Sequence, residues 1–324
     1  MVNAIRIHTN GGPEVLQFEE ITLPAPGPGE LLIKNRAIGL NFIDTYYRSG
    51  LYPAPRLPLV LGNESAGDVI AVGPNVTEFK AGDRVAAIST HGAYADERIV
   101  PLTSTVSLPA AISYEAAASV MLKGFTAEYL LHRTHRVKPG DTILVHAAAG
   151  ATGLILSQWG KALGATVIGT AGSKRKAEFA KSNGCDHVIL YREENVAARV
   201  REITGGAMCD VVYDGVGKDT FIASLDSLRP FGLLASFGNA SGAVEAFNLG
   251  ILASKGSLYV TRPTLMTHMA NRETTVAMAK NLFDTLVSGK VAVPVNATFP
   301  LKAAAEAHRA LESRGTTGST LLIP

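Results

Sequence analysis

His146-Ala-Ala-Ala-Gly-Ala-Thr-Gly153 sits between a short apolar run, Thr142–Ala147, and a longer one, Ala151–Leu163. The run, the glycine turn and the second run read as strand, turn and helix. That is the context a dinucleotide-binding G-x-G-x-x-G fingerprint requires. Ala148 stands at the first glycine position, and Gly150 and Gly153 at the second and third. Gly150 lets backbone approach a pyrophosphate, and Gly153 lets the helix pack closely on the strand. The first turn, with Ala151 and Thr152, offers N–H groups and a partial positive charge to phosphates. A glycine turn in some other strand–helix unit is the alternative, and the flanking context argues against it.

Outward from this unit the alternation continues. Further strands are expected at Thr166–Ala171, His187–Tyr191, Val211–Asp214, Leu233–Phe237 and Ser257–Thr261. Helices are expected at Lys174–Asn183, Val196–Ile203 and Asp219–Leu228. This is the pattern of a doubly wound parallel sheet. The chain before Pro109 has another style. Short runs at Ala4–His8, Leu31–Ile38, Ser65–Val72, Arg84–Ile88 and Ala95–Val100 are separated by Gly and Pro, which suggests a partly open β-barrel. After Arg262-Pro263 come a helix, Arg272–Ser288, a strand, Val291–Val295, a helix, Ala303–Glu312, and a strand, Ser319–Ile323. That is too little for a separate core, so it is expected to pack back on the first domain. The expected domains are 1–124, 125–262 and a returning 263–324.

The end of the second alternating strand decides the cofactor. NAD-binding folds place an acid there, about 20 residues past the glycines, to hold the ribose 2′-hydroxyl. Here the strand ends in Gly169-Thr-Ala-Gly172-Ser173, and Lys174-Arg-Lys176 follows. Gly172 and Ser173 offer donors and Lys176 a cation, which suits the 2′-phosphate of NADPH. A merely solvated basic first turn is the alternative, but cations there oppose the helix dipole.

The bulk numbers agree with a folded enzyme. The 324 residues are 47% hydrophobic and 18% charged, with a formal net charge of +2. That length suits two domains. No block of five like charges points to nucleic acid or an anionic membrane. Cys185 and Cys209 are too few for a disulfide framework or a four-cysteine zinc site, and a reducing compartment, the cytoplasm, is expected. Thr142–Gly160 lacks charge but holds His146, Gln158 and three glycines, so a buried strand and packed helix are expected, not a membrane span.

Several motifs now carry a resemblance. Pro58-Leu-Val-Leu-Gly-Asn-Glu-Ser-Ala-Gly67, Lys80-Ala-Gly-Asp-Arg-Val85, Ala147–Gly153 and Tyr213-Asp-Gly-Val-Gly217 resemble the medium-chain dehydrogenase/reductases. Ser236-Phe-Gly-Asn-Ala-Ser-Gly242 and Gly256-Ser-Leu-Tyr-Val-Thr-Arg-Pro263 resemble the zinc-free NADPH:quinone oxidoreductase branch. The resemblance implies an α/β fold: a GroES-like catalytic domain, an inserted Rossmann domain and a cofactor cleft between them. It also implies a homodimer through the last Rossmann strand, Ser257–Thr261, which has no charged guard before Arg262.

Zinc-dependent relatives need an early Cys and a Gly-His-Glu segment. The corresponding positions here are Asn41 and Gly62-Asn63-Glu64, so no metal is expected. Reduction of an electron-poor acceptor, a quinone or an activated carbonyl compound, needs orientation and a hydrogen-bond donor for the developing oxyanion. The resemblance puts Asn41, Tyr46 and Tyr52 in that role, with Asn41 and Tyr46 also touching the cofactor. Each has a plainer reading. Asn41 with Asp44 makes a helix N-cap pair, and the tyrosines suit a core edge. The resemblance adds Lys123, Thr126, Tyr191, Gly217, Phe237, Gly238, Asn239, Val260, Thr261, Arg262, Arg314 and Ser319 as NADPH contacts. An enone or alkenal double-bond reductase would share this cofactor half. A structural or RNA-binding role is the reading of another class; the near-neutral charge argues against RNA, and the retained cofactor loop argues against a purely structural protein.

Overall fold

The computed structural model describes residues 1–313 and 315–324. The chain forms two compact units. One comprises residues 1–125, 269–287 and 293–324, the other 126–268 and 288–292.

The second unit holds a six-stranded parallel sheet: Thr142–Val145, Thr166–Ala171, His187–Leu190, Cys209–Asp214, Leu228–Ser236 and Tyr259–Thr261. Their spatial order is third, second, first, fourth, fifth, sixth. This is the doubly wound order, in which loops at the carboxyl ends of the first and fourth strands flank the switch point. Leu144, Ile168, Ile189, Val212 and Leu234 are buried in its core, as expected of strands covered on both faces. The chargeless Thr142–Gly160 is the first strand and the start of the helix Ala151–Ala162. The helix expected to reach Leu228 stops at Asp226. Leu228 instead pairs with Cys209 and starts a strand that runs through Pro230, a residue a helix interior does not tolerate.

The first unit carries a seven-stranded sheet, mostly antiparallel, and a three-stranded one. The long strand Glu30–Gly39 is central, pairing with Glu64–Val72, Glu97–Pro101 and Ser319–Ile323. The strand expected at Val291–Val295 lies at Val295–Pro300, parallel to Ser319–Ile323. Ala292 is unavailable to a ladder, because the Gln158 side chain bonds both its N–H and its carbonyl. Among the described residues, no helix is long and apolar enough to cross a membrane.

Candidate active site

The dinucleotide loop is shaped by close approach. A Cβ on Gly153 would stand 2.8 Å from Ala148 Cα, so only glycine lets the helix sit this close to the strand. Ala148, at the first glycine position, is fully buried and gives its N–H to Thr170 O at 3.0 Å. Its methyl fills the space over Gly169, where a Cβ would lie 2.7 Å from it. Ala148 forms the buried floor of the loop. The first turn Ala151–Gly153 has neither a side-chain cap nor an acidic residue, which leaves its N–H groups suited to an anion.

Beneath the loop runs a buried polar chain that the sequence did not disclose. Thr170 Oγ1 is 3.1 Å from His146 Nδ1, and His146 Nε2 is 3.0 Å from Ser224 Oγ. The Ser224 hydroxyl donates to Asp214 Oδ2 at 2.8 Å. Burial lowers the His146 pKa, so the ring is neutral. With Ser224 donating to Asp214, Nε2 carries the proton. Asp214 also accepts from the N–H groups of Val216 and Gly217 and from the Thr220 hydroxyl. Gly217 adopts φ 94°, and a Cβ there would press on the Gly242 carbonyl.

At the end of the second strand, Ser173 caps the helix Lys174–Lys181, accepting from Lys176 N–H at 3.4 Å. A hydroxyl that accepts in this way can also donate. Tyr191 lies against Gly172, where a Cβ would come within 2.7 Å of the phenol oxygen. Lys176 has its pKa lowered by burial and by Arg175 and Arg192. Arg192 was not anticipated, although it directly follows Tyr191. Three cations crowd a surface where each repels the others, which suits a doubly charged phosphate.

Other expected contacts have structural duties. Phe237 packs over Gly215, and the Arg262 guanidinium donates to Ser236 O at 2.9 Å and Gly238 O at 3.1 Å, bracing that turn. Val260 and Thr261 lie on the edge strand, paired with Leu234 and Ala235; Asn239 accepts the Gly242 N–H and closes a turn. Thr126 is buried. Ser319 is 1% exposed and its hydroxyl donates to Ser119 O at 2.8 Å, tying the last strand down. Arg314 lies outside the described residues.

In the first unit, Asn41 opens the helix Phe42–Ser49 in a capping box with Asp44, whose Oδ2 accepts the Asn41 N–H at 2.8 Å. The capping reading is therefore correct. The side chain does more: Nδ2 donates to Glu64 Oε1 at 2.8 Å. Lys123 Nζ meets the same oxygen at 2.6 Å. Tyr46 is largely buried and meets Tyr52 edge-on at 5.2 Å between centroids. Tyr47 and His91 extend this aromatic cluster. Asp44 in turn accepts from Tyr94 Oη at 2.9 Å; Tyr94 Oη is 3.0 Å from His308 Nε2, and Arg48 donates to His308 Nδ1. Arg48 is also paired with Glu312. Burial pushes the Asp44 carboxyl up to about 7 and His308 down to about 3.

The side chains at the positions of the expected zinc ligands are engaged with other partners. Asn63 gives its amide hydrogens to Ser89 O and Thr90 O, at 3.0 and 2.9 Å, and Asn41 faces Glu64 with its nitrogen. Zinc takes Cys, His or carboxylate ligands. The Glu64 carboxylate already holds the Lys123 ammonium. Among the described residues, no group of three or more His, Cys, Asp or Glu side chains could hold a metal.

Two family models match the chain. An alcohol dehydrogenase GroES-like domain covers residues 27–141, and a zinc-binding dehydrogenase domain covers 151–282. Together with the two units they define the class: a medium-chain dehydrogenase/reductase. A quinone oxidoreductase of Pseudomonas aeruginosa is 54% identical, with all of both chains covered. The crystal structure of Escherichia coli quinone oxidoreductase complexed with NADPH matches at TM-score 0.97 and 52% identity, covering 99% of this chain and 100% of that one. A 2-haloacrylate reductase of a Burkholderia species is 46% identical over 100% of this chain and 99% of its own. The chain belongs to the quinone oxidoreductase family.

Proposed function

We propose that the chain oxidises NADPH and reduces quinones without zinc. The observation that carries the reading is the pair of prepared anion sites in the second unit: the uncapped helix start at Ala151–Gly153 and the Ser173–Lys176–Arg192 cluster. The first suits a pyrophosphate and the second a 2′-phosphate. Tyr191, beside Gly172, supplies a flat face for the adenosine end. The NADPH-bound relative supports this choice.

When bound, NADPH supplies a hydride. The chain's own residues hold, orient and polarise. Asn41 keeps one amide hydrogen beyond that given to Glu64, and Lys123 keeps two ammonium hydrogens. These donors, with the Tyr46 and Tyr52 hydroxyls, stabilise charge on an acceptor oxygen. The hydroquinone takes its proton from water. A double-bond reductase is the second reading, favoured by the 2-haloacrylate reductase relative. We also propose a homodimer through the edge strand Tyr259–Thr261, where Tyr259 and Phe231 are more than half exposed beside a groove of about 830 Å³. Two buried thiols, Cys185 and Cys209, suit the cytoplasm.

The experiment is NADPH oxidation against a panel of quinones and enones, with and without chelator. Turnover with quinones that chelator leaves unchanged is expected. Turnover with enones and no quinone transfers the assignment to the second reading, and loss to chelator with recovery on zinc refutes the metal-free site.

A further inference from the structure

We propose that Glu64 is the positioning residue of the reducing site, acting on the acceptor through Asn41 and Lys123; this rests on the reductase reading above. Glu64 is fully buried, so it acts through the groups it holds. Three donors converge on its carboxylate: Asn41 Nδ2 at 2.8 Å and Lys123 Nζ at 2.6 Å on Oε1, and the Leu122 N–H at 2.6 Å on Oε2. An amide beside a carboxylate must face it with nitrogen, since the flipped amide would set oxygen against oxygen. Glu64 thereby fixes Asn41 as a donor. It also compensates an ammonium that is itself only 5% exposed, a charge that burial alone would disfavour.

The backbone is adapted to this carboxylate. Glu64 pairs in register with Gly39, two residues before Asn41. A Cβ at position 39 would overlap the Glu64 carboxylate and the Ala118 carbonyl. A glycine in a central strand weakens it, and a buried ion pair is often no more stable than a packed apolar pair. Both features are explained when the carboxylate serves the site.

The test is a double-mutant cycle of Glu64→Gln and Asn41→Ala, read in melting temperature, NADPH affinity by fluorescence titration, and kcat and KM. The acceptor is whichever quinone or enone the wild type reduces fastest, so failure with quinones refutes the quinone reading and leaves the cycle readable. We expect Glu64→Gln to lose about tenfold or more in kcat with NADPH affinity within about twofold. In the Asn41→Ala background the further loss should shrink to about threefold or less, the non-additivity of residues acting as one. Equal losses in both backgrounds, or full kcat in Glu64→Gln, overturn the proposal. If Glu64→Gln does not fold, Glu64→Asp carries the test. It keeps a charge opposite Lys123 but withdraws from Asn41, and full kcat in that variant overturns the proposal equally.

Discussion

Each unit buries a neutral histidine that reaches a carboxylate through one hydroxyl, His146 through Ser224 to Asp214 and His308 through Tyr94 to Asp44, but the two carboxylates are treated differently. In the second unit Asp214 accepts from Val216 N–H, Gly217 N–H, Thr220 and Ser224, so both its oxygens are occupied. In the first unit Asp44 Oδ2 takes both donors, Asn41 N–H and Tyr94 O–H. Its other oxygen, Oδ1, is buried and has no partner among the described residues. A saturated buried carboxylate stiffens what surrounds it, whereas an under-satisfied one remains sensitive to protons. The cofactor loops are thus built on a fixed anchor, and the helix carrying Asn41 and Tyr46 on a titratable one.

The largest effect should come from removing the fixed anchor. Asp214→Ala leaves several buried donors without an acceptor, and breaking such a network costs about 3–5 kcal/mol. Urea unfolding should show that loss, with weakened NADPH binding as the loops at 146–153 and 214–217 lose their common tie. A loss below about 1 kcal/mol would mean that water replaces the carboxylate and that the anchor is not rigid. Next in size is the cationic rim of the same unit. Lys176→Ala should weaken NADPH by about 1–3 kcal/mol, the scale of a charged hydrogen bond, and leave NADH nearly unaffected. Equal losses for both cofactors in a binding titration would remove the 2′-phosphate assignment.

The contrast also explains what was legible in the sequence. Ala148, Gly150, Gly153 and the Gly172–Lys176 turn are local patterns, so a few residues carry the whole argument. The Asn41–Glu64–Lys123 junction joins residues 23 and 59 positions apart, and Arg48 reaches Glu312 across 264. No periodicity connects them, so Glu64, Tyr94 and His308 went unread, and Asp44 was read only as a capping residue. The bond from Ser319 to Ser119 was hidden for the same reason, the two lying 200 positions apart. Arg192 could have been found, since it follows a tyrosine already placed at the adenosine end. Ala148 was legible as a departure from the fingerprint, but its compensation by Gly169 needed the register of two adjacent strands.

The smallest expected effect tests the titratable anchor. Burial is the main cause that raises Asp44 to about 7; the Asn41 N–H and the Tyr94 hydroxyl oppose it, the Glu64 charge adds to it, and Lys123 opposes it. The folded protein therefore binds this proton more tightly than the unfolded chain, whose carboxyl titrates near its ordinary 3.8. Between those two values the unfolded state has lost the proton and the folded state keeps it, so stability falls as pH rises and the decline ends above about 7. The full shift corresponds to about 4 kcal/mol, at about 1.4 kcal/mol per unit. Relaxation around the ionised group should reduce the measured difference to about 1–2 kcal/mol. Asp44→Asn cannot ionise, and its oxygen can still accept from Asn41 and Tyr94 while the amide nitrogen takes the place of the unpartnered Oδ1. The variant should match the wild type in urea unfolding at about pH 3.5, where the carboxyl is protonated in both states, and exceed it by that 1–2 kcal/mol at about pH 8.5. Parallel stability curves for the two proteins across this range would show that Asp44 does not titrate there, and the distinction between a fixed and an adjustable anchor would be lost.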